Sequence, residues 1–309
     1  MNSNNTTNAA DTRPLMVSIR SITYNHEPYI RQCLDGFVMQ KTNFRFEAIV
    51  HDDASTDGTA DIIREYAERY PDIIKPIYET ENQYSKHDGS IDRIMDEACT
   101  GKYIALCEGD DYWTDPMKLQ IQVDFMESHS DYSMCFHRSI EHWEDGLKED
   151  AFFSEIDNRE YSGIELFENW IVPTASVVLK SSVFNSYIYQ EAIRNKKFIY
   201  GDIILFLSCC ACGKVYGMSN VMCVYRRHEG SAVFDYSVER QIKQAYHSLE
   251  IYKVFGIQYI EISKEKFFNY GMMAFLNAKA EGNIKYKLLF DLLRYTLGKT
   301  ITFFVKKVK

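Results

Sequence analysis

Short apolar runs that end in polar or acidic residues alternate with stretches of helical periodicity through the first half of this 309-residue chain. That alternation leaves few folds open. The sharpest case is Tyr103-Ile104-Ala105-Leu106-Cys107, which runs straight into Glu108, Gly109, Asp110 and Asp111. A buried strand that delivers three carboxylates at its C-terminal end is costly unless the charge is neutralised. A divalent cation bridging to a phosphate is the usual neutraliser; a solvated acidic turn is the plainer alternative. Upstream, Phe46 to Val50 ends likewise in His51-Asp52-Asp53-Ala54-Ser55-Thr56-Asp57-Gly58-Thr59. Two strands that deliver acids at their C-terminal ends build the ligand crevice of an open α/β sheet.

The remaining elements follow the same alternation. Met16 to Ile22 reads as a strand, and the polar turn Thr23 to Pro28 leads to a helix carrying Ile30, Leu34 and Val38 on one face. A helix over 60–70, a strand at Lys75 to Tyr78, a helix at Ser90 to Ala98 and the strand at 103–107 come next. Pro116 opens a helix with Leu119, Val123 and Met126 inward. This β-α-β-α order predicts a mostly parallel sheet covered by helices. The second half is less regular. Strands are expected at Tyr132 to Phe136 and Ala175 to Leu179, with an acidic, loop-rich insertion between them at 141–158. A helix at Phe198 to Cys212, a strand pair over Lys214 to Tyr225 and helices from Tyr236 onward complete the pattern.

Composition bounds the function. A net charge of −9 gives no support to nucleic-acid binding, and 41 Tyr and Phe residues exclude a disordered chain. The eight cysteines lack paired Cys-x-x-Cys spacing, which argues against structural zinc and for buried reduced thiols, Cys209-Cys210-Ala211-Cys212 among them. Residues 1–14 read as a short disordered lead-in without a signal core.

Three ordered motifs carry a resemblance: Val17-Ser18-Ile19 with Thr23-Tyr24-Asn25-His26-Glu27, then Asp52 to Thr59, then Glu108-Gly109-Asp110-Asp111. Together, over about residues 15–230, they resemble the successive signatures of family 2 glycosyltransferases of the GT-A fold. Residues 231–309 would then form a helical C-terminal extension. The resemblance implies a Rossmann-like α/β domain that transfers a sugar from a nucleotide-diphosphate donor with inversion, using Mn²⁺ or Mg²⁺. Thr23, Tyr24, Asn25 and Glu27 fall where the family binds base and ribose; Asn25 and Glu27 also suit a turn and a helix start. Asp53 matches the carboxylate that accepts from the base, typically uracil, with a helix cap as its plainer role. Glu108-Gly109-Asp110 stands for the family's aspartate-x-aspartate motif, with Asp110 as metal ligand and Asp111 placed to share the task. The replacement of the first acid by Glu108 departs from the pattern. Arg93, before the metal strand, is a candidate phosphate contact or a solvated surface residue.

Two later features extend the likeness. Tyr200-Gly201-Asp202-Ile203 resembles the late acidic motif whose Asp takes the acceptor's proton, although Gly201 stands where another acid is frequent. An N-cap is the alternative for Asp202. His228, after Tyr225-Arg226-Arg227, resembles the late histidine that completes the metal shell, and Arg226 and Arg227 suit a phosphate or the neighbouring acids.

Lys285, Lys287, Arg294, Lys299, Lys306, Lys307 and Lys309 interleave with leucines and aromatics near the C-terminus, opposed by Asp291 alone. Such a segment suits an anionic membrane surface or a helix packed on the domain. The expected location is cytoplasmic, with a peripheral position at the inner face of the cell membrane if the basic segment meets lipid. The expected partners are a UDP-linked nucleotide-sugar donor and a glycan or lipid-linked acceptor of surface polysaccharide synthesis. The membrane spans and Gln-x-x-Arg-Trp motif of the processive synthases are not found, which favours single-sugar addition. The rivals are a sugar nucleotidyltransferase, whose Gly-rich loop after the first strand is missing, and a non-catalytic nucleotide- or glycan-binding module.

Overall fold

A computed structural model describes residues 13–86, 88–228, 237–277 and 291. Most of the expected N-terminal lead-in, and the basic 285–309 segment apart from Asp291, lie outside the described residues. The chain divides into two units, the first holding residues up to Arg159 together with Val172–Ser182 and Tyr216–Arg226.

The first unit is built on strands β1 (Leu15–Thr23), β2 (Arg45–Asp52), β3 (Ile74–Tyr78) and β4 (Tyr103–Leu106), which run parallel in the order β3-β2-β1-β4. Helices α1 (Ile30–Val38), α2 (Thr59–Arg69), α3 (Ser90–Ala98) and α4 (Lys118–Ser128) alternate with them as the periodicity predicts. On α1, Ile30, Cys33, Leu34 and Phe37 are fully buried, the i, i+3, i+4, i+7 stripe of a helix lying on a sheet. They pack on Val17, Ile19, Ala48, Val50, Tyr103 and Ala105. Each apolar side chain so enclosed contributes about 1.5–3 kcal/mol relative to exposure.

Beyond β4 the sheet changes direction. Strand β5 (Tyr112–Trp113) leads into α4, and β6 (Tyr132–Trp143) runs antiparallel to β9 (Val178–Lys180), which is itself antiparallel to β4. Here the elements depart from those the sequence predicts. Residues Ala175 and Ser176 belong to a 3₁₀ turn rather than to the strand. Part of the expected 141–158 loop is regular, because β6 extends to Trp143 and pairs with β7 (Ala151–Phe152), and the short strand β8 (Arg159–Glu160) follows it. The expected strand pair at 214–225 is one continuous strand, β10 (Lys214–Arg227). Its turn-forming Ser219-Asn220 passes without a reversal because Asn158 bonds both the backbone N–H and the hydroxyl of Ser219.

The second unit is helical: α5 (Gly163–Glu168), α6 (Tyr187–Ile193), α7 (Gly201–Cys212), α8 (Val238–Phe255) and α9 (Ile260–Asn277). Helix α5 opens with a complete capping box between Ser162 and Glu165. Helix α7 begins at Gly201 rather than Phe198, and of its cysteines Cys209 is buried while Cys212 is exposed. Its core gathers Phe167, Ile204, Leu207, Ile251 and Phe255. No helix among the described residues is long and apolar enough to cross a membrane.

Candidate active site

The chain reverses its direction of growth across the sheet at β1, which lies between β2 and β4. In parallel sheets ligands bind at such a switch point, outside the carboxyl ends of the strands. Register brings the strand ends level there: Thr23 lies opposite Asp52, and Arg20 opposite Leu106. Three backbone hydrogen bonds carry the pairing past the strand ends. Cys107 N–H donates to Arg20 O (3.2 Å), Gly109 N–H to Ile22 O (3.0 Å) and Asp53 N–H to Thr23 O (2.9 Å).

The acidic turn splits its carboxylates between two environments. Asp111 is buried, and its Oδ1 accepts the backbone N–H of Arg226 at 2.8 Å. Its Oδ2 has no hydrogen-bond partner among the described residues. Burial first, then the charges of Asp110 and Glu108, hold this carboxyl well above the usual carboxylate range. Asp110 instead keeps a side chain 21% exposed, with Oδ2 4.0 Å from His26 Nε2. That spacing exceeds a hydrogen bond and suits two ligands of one cation, and a carboxylate oxygen with an imidazole nitrogen is a donor set that divalent first-row metals accept. His26 is the residue the sequence reading passed over, although it sits inside the quoted Thr23–Glu27 turn. Its signal was the same as that of its neighbours: a polar side chain directly after the first strand.

Gly109 is required by contact. A Cβ at this position would lie 2.6 Å from Thr23 Oγ1 and 3.0 Å from His26 Nδ1. Gly109→Ala is therefore expected to lower stability by about 1–3 kcal/mol through overpacking. Thermal unfolding of the variant checks this, and an unchanged Tm would show that Thr23 and His26 can retreat.

The nucleotide-side residues divide in the same way. Thr23 is buried, and its Oγ1 has no hydrogen-bond partner among the described residues. Asp53 is also buried, with both carboxylate oxygens receiving backbone N–H groups, from Gln83 (2.6 Å) and Tyr84 (3.0 Å). It thus anchors the loop after β3, and any further acceptance must use its remaining lone pairs. Tyr24 is 45% exposed. Asn25 adopts a left-handed backbone (φ 54°), takes the Thr56 N–H on its Oδ1 and gives its own N–H to Ser55 Oγ. Glu27 Oε2 accepts the Gly58 N–H at the start of α2, while Glu27 N–H donates to Asp57 Oδ2. Asn25 and Glu27 therefore staple the loop after β1 to the loop after β2, the turn and helix-start roles their residue types allowed. Arg93 is exposed and donates to the Asp88 carbonyl at 2.8 Å.

In the second unit Asp202 stands in the first turn of α7, where its Oδ1 accepts the Ile203 N–H at 2.8 Å. Desolvation pushes its carboxyl up to about 6. His228 follows directly on β10, two residues past Arg226 in the chain.

A family model described as "Glycosyl transferase family 2" matches residues 18–188. The uncharacterized protein Rv1520 of Mycobacterium tuberculosis is 41% identical over 212 residues, covering 69% of this chain and 59% of that protein, so the chain accounts for under two thirds of this relative's length. The UDP-Glc:alpha-D-GlcNAc-diphosphoundecaprenol beta-1,3-glucosyltransferase WfaP of Escherichia coli is 27% identical, with 70% of this chain and 79% of WfaP covered. Among solved structures, S. aureus TarS in complex with UDP-GlcNAc shares the fold at a TM-score of 0.64 and 17% identity, covering 91% of this chain and 81% of that one. With more than half of its length matched by the family model, the chain belongs to glycosyl transferase family 2.

Proposed function

We propose that the chain is a metal-dependent, inverting glycosyltransferase. It takes a sugar from a UDP-linked donor and gives it to a glycan or lipid-linked glycan of surface polysaccharide synthesis. The observation that carries the reading is Asp110 facing His26 at the switch point of the parallel sheet. Asp110, His26 and His228 are the residues proposed to hold Mn²⁺ or Mg²⁺. Such a cation, when bound, supplies Lewis-acid stabilisation of the leaving diphosphate. Thr23, with its buried unmatched hydroxyl, and Asp53 are proposed to face the nucleoside, with Tyr24 and Glu108 at its edge. Asp202 is proposed to take the proton of the attacking hydroxyl. The UDP-GlcNAc complex of TarS and the UDP-Glc and diphosphoundecaprenol in the name of WfaP support this choice of donor and acceptor classes.

Incubation with a panel of sugar nucleotides, with Mn²⁺ or with EDTA, tests the reading. Slow release of UDP from one donor, abolished by EDTA, is the expected result. Pyrophosphate exchange would instead mark a nucleotidyltransferase, and binding without turnover a recognition module. The membrane surface proposed for residues 285–309 has its own test: deleting them is expected to abolish sedimentation with anionic vesicles while donor hydrolysis persists.

A further inference from the structure

We propose that Arg226 is the positioning residue of the acidic turn: it fixes the Asp110–Asp111 peptide so that the Asp110 carboxylate is presented to a divalent cation. The inference rests on the metal-dependent reading above. Arg226 is 6% exposed and uses nearly every polar group it has on this task. Its backbone N–H holds Asp111 Oδ1 at 2.8 Å, and its Nε donates to the backbone carbonyl of Asp110 at 2.7 Å. The two residues are therefore gripped at once, one through its carboxylate and the other through its main chain.

The rest of the guanidinium ties that grip to three other segments. Nη2 donates to Gln32 Oε1 of α1 at 2.8 Å, and Nη1 pairs with Glu144 at the end of β6. The guanidinium carbon lies 4.9 Å from the ring centre of Tyr29 and 4.8 Å from that of Tyr112, so the cation contacts two aromatic rings. An arginine has five N–H donors in a fixed fork. Here every nitrogen of the fork already has an acceptor within the protein, which makes a scaffold of this residue rather than a phosphate ligand. Lysine cannot substitute, because a single ammonium lacks the planar fork that reaches three acceptors at once. With the peptide of the turn fixed on both sides, Asp110 has only its own side-chain torsions left to order when a cation arrives.

The test is titration of Mn²⁺ into the 309-residue chain without donor, followed by calorimetry or by the loss of the free-ion paramagnetic signal. Arg226→Lys is expected to weaken Mn²⁺ binding by about 10–100-fold, the range for losing an outer-shell partner of a metal ligand. Gln32→Ala, a change at an exposed helical position, is expected to weaken it less but measurably. Saturating Mn²⁺ should restore most of kcat in Arg226→Lys. A purely structural role would lower the folded fraction and leave the Mn²⁺ affinity of the folded molecules unchanged. Unchanged affinity in both variants overturns the proposal; if Arg226→Lys does not fold, unchanged affinity in Gln32→Ala overturns it alone. A wild-type protein that binds no Mn²⁺ would remove the metal-dependent reading itself, and this inference with it.

Discussion

Asp110→Asn is expected to lower sugar transfer by about 10³-fold or more, since the developing charge on the diphosphate loses its stabilisation. The amide keeps the shape of the side chain but gives up the negative charge that a cation requires. Folding should survive, because Arg226 grips residue 110 through its backbone carbonyl and the side chain itself is part-exposed. The measurement is turnover of the sugar nucleotide over a range of Mn²⁺ concentrations, beside a thermal unfolding curve. Wild-type turnover with the same Mn²⁺ dependence would remove Asp110 from the proposed metal site.

Asp202→Asn is expected to cost about 10²–10⁴-fold in transfer rate while UDP binding stays near normal. Inversion requires the acceptor hydroxyl to attack opposite the leaving diphosphate, and a hydroxyl needs a base to take its proton as the bond forms. A carboxyl raised to about 6 by desolvation suits that task better than an ordinary one, because its conjugate base is stronger yet still ionised at neutral pH. The transfer rate should therefore rise with pH through about 6, and this limb should vanish in the Asn variant. Stability should move the other way. A raised carboxyl contributes stability that is complete below its unfolded value and is lost as pH climbs through about 6. Parallel loss of UDP binding and transfer would make Asp202 only a first-turn residue that accepts the Ile203 N–H, the helix cap itself being Tyr200.

The elements most legible in the sequence are those whose partners are near in the chain. α1, α2, α3 and α4 each bury a stripe set by helical spacing, and their bounds fall within a few residues of the expected ones. β10 was illegible because Ser219 and Asn220 look like a reversal, and the side chain that keeps the strand straight, Asn158, belongs to another segment. The site was legible as a set of motifs, since acids after apolar runs have few cheap explanations. How its carboxylates divide was not. Nothing in Gly109-Asp110-Asp111 states which acid turns inward; that is settled by Arg226, more than a hundred residues away in sequence. His26 escaped notice for a related reason, because its meaning comes from facing Asp110 across two strands.

The staple between the loops after β1 and β2 bears on how such a protein is changed. Asn25 bonds Ser55 and Thr56, and Glu27 bonds Asp57 and Gly58, with donors and acceptors supplied from both sides. Exchanging the loop after β1 alone would leave the Thr56 and Gly58 N–H groups without the Asn25 and Glu27 side chains, and exchanging the loop after β2 alone would leave the Asn25 and Glu27 N–H groups without Ser55 and Asp57. The two segments, 23–28 and 52–59, are a single cassette: they would have to be transplanted together, and a chimera that inherits one from each parent should lose the loop geometry that these hydrogen bonds hold.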